Sequence, residues 1–246
     1  MKKHWRKIFF VVVLFSLSHS VFPQFIRAWG LFLGETSSRH RYKNKYPQDL
    51  ASDPYFLHAQ PPSHKATEHE SWSAGLFLEM LPSDVWRWQT ELEYCNKGSN
   101  ENVLVNWITD EQKKMVNKLS YIQWNNFLKR FIYLGINKPT YIMIGARAEY
   151  NLTRSLPAYS YISGHMKKLW VSPDIGVGME FKLRGNWGLF VEEHYNPDAW
   201  FQWTQDNNKI WLMNRTWETR VGLIYRIKQG IGAYDLDCNA PRYHGR

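Results

Sequence analysis

Charged side chains in this sequence recur at every second position. Glu91 and Glu93, Arg147 and Glu149, Glu180 and Lys182, Glu192 and His194, and Glu218 and Arg220 each stand two residues apart, and Arg87 and Arg226 keep the same step. Neighbouring carboxylates can divide the roles of general acid and general base, and a histidine beside them can carry the proton. On an extended strand the same spacing puts both groups on one face, where opposite charges form a ladder of ion pairs. Both signs occur in similar numbers, which favours the ladder. Catalysis finds no further support: there is no glycine-rich phosphate loop, no serine-hydrolase elbow and no Cys/His cluster. His40, His58, His64 and His69 share one polar stretch, at spacings that match neither a helical pair nor a zinc motif. Neither an enzyme nor a metal or cofactor protein is expected.

The positions between those charges are apolar. Over 86–97, Trp86, Trp88, Thr90, Leu92 and Tyr94 alternate with Arg87, Gln89, Glu91, Glu93 and Cys95. A strand sends successive side chains to opposite faces, so this is a ribbon with one apolar and one charged face. The period recurs over 25–34, 72–80, 119–133, 140–150, 174–183, 187–195 and 210–227, which predicts eight strands. Glu193 falls on an apolar face, and a bulge or a bend is expected where Asn125-Asn126 and Lys129-Arg130 break the alternation. The connections 35–71, 96–117, 151–169 and 196–209 read as long and polar, with a short helix over 110–117. Those at 81–84, 135–139 and 184–186 read as tight turns.

Long and short connections in alternation are the rhythm of a membrane barrel. The fold expected is all-β, an eight-stranded antiparallel transmembrane β-barrel with long outer loops and short periplasmic turns. Trp86 and Trp187 sit beside the short turns, and Trp72, Trp170 and Trp211 beside the long loops. These five are expected to form two interfacial girdles. Eight strands enclose just enough room for side chains. The inward charges named above must then pair, because an unpaired buried charge costs several kcal/mol. A packed ion-pair network is the default reading of the lumen, and a conducting pore or a small polar ligand site is the alternative. A soluble lipocalin-like secreted barrel would turn the apolar face inward, and periodicity alone does not choose between the two.

The chain has 246 residues, 16% of them aromatic, with thirteen tryptophans and a formal charge of +9. Four of those charges, Lys2, Lys3, Arg6 and Lys7, open a segment that reads as a signal peptide over 1–24, with an apolar run over 8–17. That run is too short to span a bilayer as a helix, which takes about 20 residues. The barrel is assigned to 25–227 and a periplasmic tail to 228–246. The expected address is the bacterial outer membrane after export. The basic residues are scattered, with none of the aromatic–basic interleaving of a nucleic-acid module, so outer-membrane lipid and lipopolysaccharide are the expected surroundings. Partner proteins would be met through the outer loops or the tail. Cys95 and Cys238 fall at opposite ends of this topology and are not expected to bond.

One region resembles a known family. Residues 74–98, with Glu91-Leu92, Tyr94 and Lys97-Gly98, are similar to the second hairpin of PorT-like outer-membrane β-barrel proteins. Lys138 to Ile142, Gly176 to Phe181, Asn214 to Thr216 and Gly222 to Arg226 resemble its later strands, so the likeness covers nearly all of the presumed mature chain. It departs at Trp124-Asn125-Asn126, where the family has a proline and aliphatics, and in the longer tail. The resemblance implies an integral outer-membrane scaffold of a Gram-negative cell, and for some family members an accessory role in type IX protein secretion. The neighbourhood of His194 also resembles that of the catalytic histidine in outer-membrane lipid A deacylases. Their serine two residues on is here Asn196, so that nucleophile is missing.

Overall fold

The computed structural model of the chain describes residues 26–44, 66–81, 83, 85–106, 111–132, 139–159, 163–197, 202–205 and 210–227. The expected signal peptide and tail, with Cys238, His58 and His64 and most of the 135–139 turn, lie outside the described residues.

Eight long strands close on themselves. In order they are β1 (Ile26–Asn44), β2 (His69–Met80), β3 (Trp86–Asn106), β4 (Glu111–Ile132), β5 (Thr140–Ser155), β6 (Leu169–Lys182) and β7 (Trp187–Asn196), then a short β8 (Trp203–Gln205) and finally β9 (Ile210–Arg226). Each long strand pairs antiparallel with the next, β7 pairs with β9, and β9 returns to β1 from Ala28↔Arg226 to Asn44↔Ile210. The three-residue β8 lies against the loop end of β9. Closure removes every edge within the ring, which lets a sheet stand in lipid without unpaired backbone groups.

Alternation decides which face is which. Leu31, Leu33, Leu76, Leu92, Trp124, Ile144, Ile175, Val177 and Val221 are exposed on the exterior, whereas the charged positions between them are buried. A soluble barrel would show the reverse. Aromatic rings edge this belt. At the turn end Trp29, Trp187 and Tyr225 pack with centroids 5.1–5.9 Å apart, and at the loop end Trp72 packs on Tyr94 and Tyr195 on Trp217. Some polar atoms on the belt are paired: Trp124 donates to Thr90 Oγ1 at 2.9 Å, and Thr219 to Glu193 at 2.6 Å.

The interior is narrow enough that glycine is required where a ring crosses it. A Cβ on Gly75 would stand 2.5 Å from the Phe32 ring, and one on Gly178 the same distance from the Tyr141 ring. Such glycine–aromatic pairs across neighbouring strands let a small barrel curve and still fill its core.

Several elements differ from the expectation. The long loop expected over 96–117, with its short helix over 110–117, is instead strand over 96–106 and 111–117. β3 and β4 continue as a paired ribbon to Asn106↔Glu111, and only 107–110 connect them. β1 likewise runs on to Asn44 and β5 to Ser155. These extensions rise above the lipid, where neither face needs to be apolar, so the alternation that marks a half-buried strand disappears. The expected bulge in β4 is also absent. Asn125 and Lys129 face inward and Asn126 and Arg130 outward in strict alternation, and the register shift falls at Ser120/Tyr121 against β5. Trp88 donates to Asn126 at 3.3 Å and Arg130 lies over the Trp86 ring, so both outward polar groups have partners.

Candidate functional site

The lumen gathers a dense set of buried charged side chains. Arg220 on β9 holds Glu91 at 2.9 Å and Glu93 at 2.7 Å across the barrel, and Glu218 on its own strand at 2.9 Å. The Phe32 ring lies 4.4 Å from its guanidinium carbon and covers its face. Glu218 also receives Arg147 at 2.8 Å and the Ser73 hydroxyl at 2.5 Å. Arg147 reaches Asp174 at 2.6 Å, and Asp174 meets His194 Nδ1 at 2.8 Å. His194 Nε2 faces Glu192 at 3.3 Å. All these side chains are almost entirely screened from solvent.

A second group lies towards the turn end. Lys129 binds Glu79 at 2.9 Å, Glu192 at 3.2 Å and the Gln89 side-chain Oε1 at 2.6 Å, with its ammonium 4.1 Å from the Tyr141 ring centroid. Tyr141 donates to Glu192 at 2.7 Å. Glu79 also holds Arg87 at 3.1 Å and Arg226 at 3.4 Å, and Arg226 pairs closely with Glu180. Nearer the loop end Lys97 binds Glu149 at 2.6 Å, and Gln123 donates to the same carboxylate at 3.1 Å. Buried charges are tolerated only when paired and hydrogen-bonded, and here the pairs join strands on opposite walls.

An apolar cluster packs beside the charges towards the loop end. Leu119, Tyr121, Leu156, Met166, Trp170, Trp203 and Leu212 form one buried cluster at the loop end. Arg154 fixes it: the guanidinium donates to Asn151 Oδ1 at 2.7 Å, to the Ser163 carbonyl at 2.7 Å and to the Met166 carbonyl at 3.0 Å. The Lys167 amide donates to the Gln202 carbonyl, and the Gln202 amide to that of Leu212, so the β5–β6 connection is tied to β8 and β9.

The structure brings Arg87, Glu91, Glu93, Arg147, Glu149, Glu180, Glu192, His194, Glu218 and Arg220 together in the buried lumen, with Arg226 partly exposed at its turn end. Lys182 is different: it is exposed beside the β6–β7 turn, where the strand leaves the barrel. Trp72, Trp86 and Trp187 are exposed on the exterior, but Trp170 and Trp211 are not girdle residues. Trp170 faces the interior in T-shaped contact with Tyr121, and Trp211 is covered, with Arg41 over its ring and Thr204 of β8 paired beside it. Tryptophan near a long loop marks a membrane boundary only when its strand parity points outward, and at Trp170 it points in.

Sequence reasoning did not single out Glu79, Lys97, Lys129 and Asp174, all buried in this network. Glu79 and Asp174 lie on the polar faces already recognised and could have been found by extending the parity rule. Lys129 was hidden by its charged neighbour Arg130, and Lys97 by the presumed end of β3.

As chemistry the site is occupied with itself. Both nitrogens of His194 face carboxylates, and Asn196 donates to Ser172 Oγ at 2.8 Å. No cluster of three or more potential metal ligands occurs among the described residues. Cys95 is a buried free thiol on the inner wall.

No protein-family model matches the sequence, and no curated protein does. Among solved structures the chain is similar in shape to the outer-membrane protein OprG of Pseudomonas aeruginosa, with 11% identity, a TM-score of 0.48, and 84% of this chain and 99% of that one covered. Ail, the attachment invasion locus protein of Yersinia pestis, in complex with the heparin analogue sucrose octasulfate, matches at 10% identity and a TM-score of 0.34, over 81% and 99% of the two chains. The Escherichia coli outer-membrane protease OmpT matches at 10% and 0.31, over 83% and 97%. At these values the likeness transfers no activity, partner or residue role. The inside-out distribution of charge, the aromatic-edged apolar belt and the closed antiparallel ring are the features of an outer-membrane barrel. The chain is an all-β integral protein of the bacterial outer membrane.

Proposed function

We propose that the protein is a closed, non-catalytic scaffold whose work is done at its loop end, through contacts with partner proteins or surface glycans. The carrying observation is the filled lumen: paired charges bridge its walls, and an apolar cluster tied to the loop-end backbone through Arg154 packs with them. A barrel with a filled bore and strands extended beyond the lipid has its binding surface outside, where irregular and projecting segments carry function. The resemblance of the second hairpin to PorT-like proteins suggests the finer role, an accessory of a type IX-like secretion machine. A porin-like or solute-binding role is the less supported reading, because the inward charges are engaged with one another.

The test replaces residues 102–114, the tip of the β3–β4 ribbon, by an Asn-Gly turn in the full chain. The barrel below should still fold, seen as a shift in gel mobility between unheated and boiled samples. Crosslinked partners recovered from wild-type cells should be lost, together with complementation of a deletion strain. Full complementation by this variant, and by ones shortened at 157–168 and within 45–65, would overturn the scaffold reading.

A further inference from the structure

Above the loop-end girdle the exterior of the β1–β9 seam turns basic. Arg39 and Arg41 on β1 are exposed there, and Arg215 on β9 is half-buried. The register sets Ser37 opposite Trp217, Arg39 directly opposite Arg215, and Arg41 opposite Met213. Like charges directly opposite each other on one face of a sheet repel, whereas an opposite charge there would stabilise the pair. Among the described residues none of these three arginines makes an ion pair. Arg41 is held over the Trp211 ring, 5.6 Å from its centroid, so its guanidinium is oriented without being neutralised.

Depth says what should neutralise them. Trp217, in contact with Tyr195, marks the boundary of the apolar belt. Tryptophan and tyrosine sit at the headgroup level. Arg39 and Arg215 stand one same-face step further out, about 7 Å along the strand, where lipid phosphates lie. Guanidinium binds phosphate through paired, charge-assisted hydrogen bonds. Carboxylates lie close by, though among the described residues none pairs with these arginines: Glu68 precedes His69, which sits opposite Ser38, and accepts from Ser37 Oγ at 3.1 Å, Glu70 lies opposite Ser37, and Glu35 and Glu193 flank Thr219 one row deeper. We propose that Arg39, Arg41 and Arg215 form a docking site for the phosphate groups of an outer-leaflet glycolipid headgroup. The inference rests on the membrane placement of the barrel and is independent of which partner the loops meet.

The test uses the full chain folded in a neutral detergent and counts retained lipid by native mass spectrometry. The probes are diphosphorylated lipid A and the same lipid after enzymatic dephosphorylation. Wild type should prefer the phosphorylated form by about tenfold or more, the scale expected for basic residues near an anionic surface. The double variant Arg39→Gln/Arg215→Gln should lose that preference, Arg39→Lys/Arg215→Lys should keep part of it, and Lys114→Gln/Lys118→Gln on the exterior of β4 should leave it unchanged. Each variant is first checked for the heat-dependent gel shift. Equal retention of the two lipids by wild type, or an unaltered preference in a folded Arg39→Gln/Arg215→Gln variant, would overturn the proposal. Displacement of the lipid by millimolar inorganic phosphate would overturn it in favour of a simple anion site.

Discussion

Arg220 engages three carboxylates within 3 Å, and among the described residues no other cation pairs with all of them. Arg220→Met keeps most of the volume but leaves Glu91, Glu93 and Glu218 facing one another. Breaking a buried pair on one side costs about 3–5 kcal/mol, and urea unfolding in lipid vesicles followed by tryptophan fluorescence should register a loss of that size. A loss below about 1 kcal/mol would mean that water reaches these groups. Gly178 gives a second expectation. Its missing Cβ would stand 2.5 Å from Tyr141, a ring anchored by its hydroxyl on Glu192 and unable to retreat. Gly178→Val should therefore abolish the heat-dependent gel shift, whereas Gly164→Ala, with nothing within 4 Å, should fold as wild type. Much of the lumen is legible from parity alone, because a half-buried strand cannot conceal its period. Lys129 is the instructive failure: beside Arg130 it read as a break in the pattern, yet one of the two points in and the other points out to Trp86.

Among the elements, the strands are longer than a membrane requires. β3 has 21 residues and β4 has 22, against about 9–11 needed to cross the hydrocarbon. The excess is held by backbone pairing and by polar side chains such as Ser99, which bridges His40 at 2.7 Å and Glu101 at 2.8 Å. Neither interaction leaves a hydrophobic period, so the sequence reads as loop there. The β5–β6 connection shows the opposite case. Ala158 of its 3₁₀ turn, Pro157–Tyr159, and Met166 join the apolar cluster, and Arg154 ties the backbone down at Ser163 and Met166. Arg154→Ala should free this segment, and limited proteolysis from the loop end should cut within 156–168 several times faster than in wild type, with the strands left intact. An unchanged cleavage rate would show that apolar packing alone holds the cluster.

For the whole molecule, the two tiers make a prediction about permeability. Planar-bilayer recordings of the folded chain should show no steady conductance, and Arg154→Ala should not open one, because the ion pairs lie outside the cluster it releases. Steady channels from the wild type would overturn the closed-scaffold reading, and channels from Arg154→Ala alone would place the seal in the loops. By itself the sequence determined the class of fold. The period of two along eight segments, the charges on one face and the turn residues between strands left few other arrangements, since local alternation is fixed by backbone geometry. It could not decide which face pointed inward, which charges met, or where tryptophan was girdle and where it was core. Those depend on closure. Only when β9 returns to β1 do Arg220 and Glu93 face each other across 127 residues of chain, and an ion pair between distant strands leaves no mark on the local pattern of either.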